Sequence, residues 1–459
     1  MLALVLMAPA FYNGYPLVFA DTGTYILSGM DVELPYDRPL MYGLFVNLSS
    51  LHYSLWLTVF FQCLIVSFTI KHTIRLFLGN GYRNSAVPLM AILVAFTSVG
   101  WYASQLMPDI FTSVCIMCIL LLTFSQHLSS AQQLITAVIF MFSVNVHASH
   151  FLIAGLLMLL TVMFRKLYSD HRIKNKTRVI LPIVLLVTSV VAGCSVNYAV
   201  GRSFTITRGS HVFLTGRMLD NGILKEFLDE RCETHNYLLC DYKDSLPLDS
   251  RALLWDEKSP LNRHGGWAGS QEDYQILLRD LLSSPKYVFK FAFTSATAGI
   301  SQLLQNDIGS GLGGTWYGSP YSPPYTQIAR HFPQELKQYE QSRQNENLWS
   351  QKLDFENINF INNILIIASV LFLYAVLCID KVKHLFSPEL RIMVLVICAG
   401  ITINAFVTAG LANVYDRLQS RVSWMFVFLF LVLIIRRWSA LVNLIKHLCK
   451  QAWQQPNDQ

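Results

Sequence analysis

Long apolar runs alternate with short polar breaks over most of the chain, and this pattern predicts membrane-spanning helices. The first run, residues 1–20, is interrupted by Pro9 and Pro16. Further runs occupy 51–70, 86–105, about 109–125, 133–145, 151–164 and 179–198. Residues 199–357 then mix both signs of charge with Gly, Pro and aromatics, which is the composition of a folded extramembrane region rather than a linker. Three more runs, at 358–379, 393–412 and 422–435, close the chain. The expected fold class is an all-α polytopic membrane protein of about ten transmembrane helices, with an extracytoplasmic domain inserted after the seventh span. Its modules are 1–198, 199–357 and 358–459.

Two stretches leave alternatives open. Residues 1–20 read as an uncleaved span, as a cleaved signal peptide ending at Val18-Phe19-Ala20, or as a span truncated at its start; the lack of positive charge before the apolar run favours the uncleaved span. Residues 284–305 are moderately apolar, with Lys286 and Lys290 near the start, and read as an interfacial amphipathic helix or a further span. Gly309–Gly314 and Pro320–Pro324 mark irregular loop. The glycine run is no dinucleotide fingerprint, because no strand precedes it and no helix follows.

Charge supplies the sidedness. Basic clusters at 71–83, 165–178, 381–391 and 436–450 all fall on one face of a ten-span topology, and the positive-inside rule makes that face cytoplasmic. A further span at 284–305 would break this agreement, which favours the interfacial alternative there. The opposite face then carries 21–38, 104–109, 145–150, the 199–357 region and 413–421. Composition agrees with a membrane protein: of 459 residues, 53% are hydrophobic and only 14% charged, with a net charge of +6 and a mean hydropathy of +0.40. The excess of positive charge sits in loops between spans, and no basic stripe interleaved with aromatics points to nucleic acid.

Of nine cysteines, most lie in apolar runs and read as small buried hydrophobes. Cys115 and Cys118 have C-x-x-C spacing, but within a span and without further ligands nearby. Cys232 and Cys240 differ, lying in the long polar region; in an oxidising compartment they suit a disulfide.

The polar residues on the outer face carry the candidate chemistry. Asp21 sits where the first span should end. It is either a helix-end carboxylate or a base whose proton affinity is tuned by partial desolvation. Asp109 follows Pro108 in the first turn of the fourth span, where it complements the helix dipole. His147 and His150 are one helical turn apart and suit donors to a phosphate or sugar hydroxyl; no third ligand adjoins them for a metal. Arg38, Arg417 and Arg421 are cations on the face where the positive-inside rule disfavours them. Arg417 and Arg421 share one side of a helix, fit for a phosphate or for salt bridges, with Asp416 the local partner.

Asp21 in Ala-Asp-Thr-Gly-Thr-Tyr, Arg38-Pro-x-x-Tyr42, Pro108-Asp109 before the fourth span and the long outer region after the seventh together resemble the GT-C superfamily of integral-membrane glycosyltransferases. The resemblance implies a polyprenyl-phosphate-linked sugar as donor and an extracytoplasmic glycan, lipid or protein as acceptor. It implies Asp21 as the catalytic base and Asp109 as the second acid of the site. Arg417 and Arg421 would hold the lipid-linked phosphate, with Arg38, Tyr42, His147 and His150 among the substrate-binding residues. Many members carry Asp-Glu in the first outer loop, whereas Thr22 follows Asp21 here, which weakens the expectation of a metal site: a divalent metal is possible but not supported, and no cofactor is certain. The implied partners are membrane lipid and the lipid-linked sugar, and the natural setting is a bacterial inner membrane. Two other functions fit the pattern: a transporter or lipid flippase, and a non-catalytic envelope assembly protein. A transporter predicts polar groups near the membrane midplane; Asn404 is the main example, since Asn359, Asn362 and Asn363 cluster at one end of their span.

Overall fold

The computed structural model describes residues 1–167, 178–312, 315–345 and 353–454. Most of the basic stretch 165–178, Gly313 and Gly314 of the glycine run, and residues 346–352 and 455–459 lie outside the described residues. The described chain is helical throughout, with no strand and a single bridge between Leu17 and Gln105.

Residues 1–20 do not form one helix. Two short helices, α1 (Leu2–Leu6) and α2 (Ala8–Asn13), meet where Pro9 opens the second, and Gly14 ends it with φ of 83°. Two more short helices, α3 (Thr22–Met30) and α4 (Met41–Ser50), flank the polar loop 31–40. The second and third apolar runs follow as α5 (Leu55–Leu78) and α6 (Tyr82–Phe96), joined by one tight turn. The third run breaks at Thr97, which is extended, and resumes as α7 (Val99–Ala103).

Helix α8 (Phe111–Phe124) is buried along its whole length. It is apolar on every side, as a helix surrounded by others must be. Around it stand α5, α9 (Ser130–Asn145), α10 (His150–Leu167) and α11 (Ile180–Gly201).

The 199–357 region divides among three cores, the smallest joining Ile308, Leu312, Leu353 and Phe355 to Leu17 and Trp101. Helices α12 (Ser210–Asp220), α13 (Ile223–Arg231) and α14 (Gln271–Ser283) bury Val212, Leu224, Phe227, Leu253 and Leu277 in a core of their own. Cys232 and Cys240 are disulfide-bonded beside it. Helix α15 (Pro285–Leu303) starts from that core, with Lys286 paired to Glu226 (2.8 Å) and Glu230, and Lys290 paired to Glu226. Its far half runs along a helix of the closing module, where Gly299 faces the Phe406 ring, and α15 is not among the helices long and apolar enough to span. Helix α16 (Pro323–His331) and its neighbours instead share the main core, through Tyr317, Ile328, Phe332 and Tyr339.

The chain closes with α17 (Glu356–Cys378), α18 (Pro388–Leu411) and α19 (Asp416–Gln454); α19 has a break in helical geometry at Arg437. Among the described residues, five helical stretches are long and apolar enough to cross a membrane: Leu55–Phe96, Ile180–Gly201, Glu356–Cys378, Pro388–Leu411 and Asp416–His447. Leu55–Phe96 covers two of the expected spans. Pro108–Phe124 and Ser130–Asn145 are shorter apolar helices. At 1.5 Å per residue they reach roughly 24–26 Å, less than a hydrocarbon core of about 30 Å.

Basic stretches far apart in sequence meet at one end of the bundle. Arg436 donates to the Phe77 carbonyl, so 71–83 and 436–450 adjoin. Arg421 lies fifteen residues before Arg436 on α19, about 22 Å up the helix axis. The outer-face candidates are gathered at that other end.

Candidate functional site: a ladder of two carboxylates and three guanidinium groups

Backbone packing positions the first two groups. A Cβ on Gly29 would lie 2.0 Å from the Gly43 carbonyl oxygen, so α3 and α4 cross in backbone contact where only glycine fits. Asn47 donates to the Gly29 carbonyl at 2.9 Å and fixes the crossing. The loop between the two helices therefore folds back, and Arg38 returns to Asp21 just ahead of α3.

The extended segment around Leu17 brings in the second carboxylate. Leu17 N–H donates to the Ser104 carbonyl at 3.1 Å, and the Leu17 carbonyl accepts from Leu106 N–H at 2.8 Å. Thr22 Oγ1 donates to the Leu106 carbonyl at 3.0 Å. Residues 15–22 are thereby bound to 104–107, and Asp109 follows directly in the turn Pro108–Ile110 that opens α8. The first turns of α19 supply Arg417 and Arg421.

These five side chains form a ladder. Arg38 Nη2 stands 2.7 Å from Asp21 Oδ2. Arg417 Nη1 lies between the acids, 3.5 Å from Asp21 and 4.0 Å from Asp109. Arg421 Nη1 donates to Asp109 Oδ1 at 3.0 Å, and its Nη2 donates to Asn404 Oδ1 at 3.0 Å. Asn404 is held in turn by donating to the Leu418 carbonyl at 2.7 Å. The two ends of the ladder differ in access: side-chain exposure is 12–16% for Asp21, Arg38 and Arg417, but 0–2% for Arg421 and Asp109.

Within the ladder three cations face two carboxylates, and a third acid, Asp37, stands beside Arg38. Burial raises the Asp21 pKa, but Arg38 and Arg417 more than offset it, and the net shift is downward. Asp37 adjoins the ladder without an ion pair; its pKa is raised, chiefly by burial. The Arg417 guanidinium also lies 4.0 Å from the Phe19 ring centroid, in cation–π range. The loop of Phe19, Asp21 and Gly23 is covered from outside. Gly311 packs on the Phe19 ring, and Gly23 packs on the Pro323 backbone.

His147 and His150 stack with ring centroids 5.1 Å apart. His150 is fully buried and satisfied: Nδ1–H donates to the Ser143 carbonyl at 2.6 Å, and Nε2 pairs with Thr112 Oγ1 at 2.7 Å. His147 lies in the loop between α9 and α10 and is the more accessible. Its pKa is pushed well below the ordinary value by burial and then by Arg421, His150, Arg38 and Arg417, which places it beside the ladder. Nδ1 accepts from Ser149 N–H at 3.2 Å, which leaves Nε2–H of the neutral ring as a donor.

Tyr42 is held in the core. Its hydroxyl donates to Gln62 Oε1 at 2.8 Å, and its ring packs 4.9 Å from Tyr25. Among the described residues, no three His, Cys, Asp or Glu side chains gather where one metal ion could hold them.

Two buried residues were not singled out as site residues from sequence. Asn404 terminates the ladder; an asparagine inside an apolar run was its signal. Glu335 accepts from Tyr15 Oη at 2.7 Å, from Ser54 Oγ, and from Leu55 N–H at 3.3 Å. It therefore clamps the 305–345 segment to the start of α5. No local pattern marks it, since its partners lie 280 and more residues away.

In comparisons with known proteins, no family model, no curated protein and no solved structure matches this chain.

Proposed function

We propose that the chain is a GT-C-like membrane glycosyltransferase that moves a sugar from a polyprenyl-phosphate donor to an acceptor hydroxyl at the ladder end of the bundle. The observation that carries this is the convergence of Asp21 and Asp109 with Arg38, Arg417 and Arg421, with the Asp21 end less deeply buried than the Asp109 end and three guanidinium groups against two carboxylates. Arg417 makes the longest contacts of the ladder and is the guanidinium most readily redirected to an incoming phosphate. Asp21, ionised beside two cations, is a weak base. It suits orienting the acceptor hydroxyl and taking its proton late, as the bond to the leaving group breaks. The acceptor oxygen bonds to the anomeric carbon, the carbon–oxygen bond to phosphate breaks, the proton passes to Asp21, and the departing phosphate rests on Arg417. Direct displacement inverts the anomeric centre. His147 offers its Nε2–H to a sugar hydroxyl or phosphate oxygen.

Two features favour an outward-facing site in a bacterial inner membrane. Basic stretches meet at the opposite end of the bundle, as the positive-inside rule requires of a cytoplasmic face. The Cys232–Cys240 disulfide belongs to an oxidising compartment.

The test is sugar transfer or release by the purified protein across a panel of polyprenyl-phosphate sugars. Asp21→Asn is expected to lower the rate by roughly 10²–10⁴-fold, the usual contribution of a positioned general base. Full activity in that variant removes Asp21 from the mechanism.

A further inference from the structure

A crevice of about 810 Å³ opens at the basic end of the bundle, remote from the ladder. Its walls come from α1, α5, α6 and α9 and include Leu2, Leu64, Phe68, Val87 and Ile135. Lys71, Tyr82 and Arg83 also line it. The size lies within the range of about 300–1,000 Å³ typical of ligand sites.

Among the described residues, Lys71, Arg75 and Arg83 form no ion pair with a carboxylate. Arg75 lies over the Tyr82 ring with its Cζ 5.6 Å from the centroid. The charges of Arg83, Lys71 and Arg75 all bear on Tyr82. No Asp or Glu occurs in residues 1–20, between Asp37 and Asp109, or between Asp109 and Asp170. Every element that lines the crevice falls within those acid-free stretches. Elsewhere the extramembrane cations Lys225, Lys286 and Lys290 are each paired with carboxylates. Loop cations that served only to orient the chain would have no reason to gather on one tyrosine beside an apolar cleft.

We infer that this crevice is a binding site for an anionic phospholipid, with the phosphate headgroup on Lys71, Arg75 and Arg83 and an acyl chain lying between α5 and α6. From Lys71 back to Leu64 the wall runs seven residues along α5, about 10 Å of helix. The cleft therefore leads from the cation group into the hydrocarbon region, as a lipid held by headgroup and chain requires. Basic residues at a membrane surface attract anionic lipid by about 1 kcal/mol each, or about fivefold in affinity. The site is independent of the proposed transferase chemistry.

The experiment uses the full chain, purified in non-ionic detergent and examined by native mass spectrometry. The probes are phosphatidylglycerol, phosphatidylcholine with the same acyl chains, and free glycerol phosphate. The native protein is expected to retain phosphatidylglycerol over phosphatidylcholine. The exposed pair of changes Lys71→Gln and Arg83→Gln should reduce that preference roughly 25-fold. Val87→Trp should fill the cleft and lower retention of both lipids while the cations remain. Equal retention of the two lipids overturns the inference, as does an unchanged preference in the Lys71→Gln/Arg83→Gln protein. Competition by glycerol phosphate at the concentration effective for phosphatidylglycerol would show a soluble-anion site and also overturn it. Should Val87→Trp fail to fold, the glutamine pair, which alters only exposed side chains, decides the matter alone.

Discussion

Replacing Asp109 by Asn should destabilise the protein far more than any neutral polar substitution in the bundle. The carboxylate stands 3.0 Å from Arg421, and both side chains are almost wholly excluded from solvent. With an effective dielectric constant of about 20, two unit charges at that distance attract by roughly 5–6 kcal/mol. Removing one partner leaves the other charge buried, at a typical cost of about 3–5 kcal/mol. Among the described residues, Asn404 would then be the remaining side-chain hydrogen-bond acceptor of the Arg421 guanidinium, and Arg417 would add repulsion. A neutral hydrogen bond between membrane helices averages only about 0.6 kcal/mol, so the two regimes are well separated. The assay is reversible unfolding in mixed detergent–SDS micelles, followed by tryptophan fluorescence. Asp109→Asn and Arg421→Gln should each lose about 3–5 kcal/mol, while Asp109→Leu with Arg421→Met should recover most of that, because an apolar pair leaves no stranded charge. A loss under about 1 kcal/mol in both single variants would refute a dry ion pair, and so would a double variant no better than the worse single one.

Other outcomes follow from the same geometry. The Asp21 carboxyl has a folded pKa below its unfolded value near 3.9, so its stabilising contribution is present above about pH 4 and is lost as pH falls through the folded value. Stability and the rate of the proposed sugar transfer should therefore show no Asp21-dependent step between pH 5 and 8, which a comparison of native protein with Asp21→Asn over that range will check. Gly29→Ala should push α3 off α4, since the new methyl has 2.0 Å to the Gly43 oxygen; a loss of about 1–3 kcal/mol should accompany loss of the proposed sugar transfer, read by unfolding and by a transfer assay. Replacing Cys232 and Cys240 by Ser removes a constraint across a separation of eight residues, worth about 2–3 kcal/mol in the chain-entropy account. Hydrogen exchange should rise across 210–287 and stay unchanged at Asp21.

The apolar runs at 51–70, 179–198, 358–379 and 393–412 were legible because one-dimensional composition suffices for a long, uniformly apolar helix, and each overlaps a helix long and apolar enough to span. Residues 1–20 and 86–105 were less so. Pro9 and Thr97 break those runs into pieces that bury themselves against α5 and the Leu17 segment, and only tertiary packing shows that. The division of 199–357 was hidden for the same reason: Tyr317 and Tyr339 join the membrane core, whereas Leu224 and Leu277 form another, and all four sit in a similar polar context. The ladder was half visible. Each of its charges was out of place by side or depth, but which pairs with which depends on contacts such as Asp109 to Arg421, 312 residues apart. Tyr42 and His150 were chosen by residue type and spacing; their polar atoms are engaged with Gln62, Thr112 and Ser143.

The long sequence separation within the ladder has a consequence for biogenesis. Asp109 leaves the ribosome more than three hundred residues before Arg421, so a nascent chain must hold that acid without its partner through nearly all of synthesis. A carboxylate in that position is tolerated while protonated or while the helix it opens stays at the aqueous boundary. Insertion of the final helix would then act as the closing step, locking α8 into the middle of the bundle. Chains that terminate before residue 416 would keep an exposed acid where quality-control proteases of the membrane can find it.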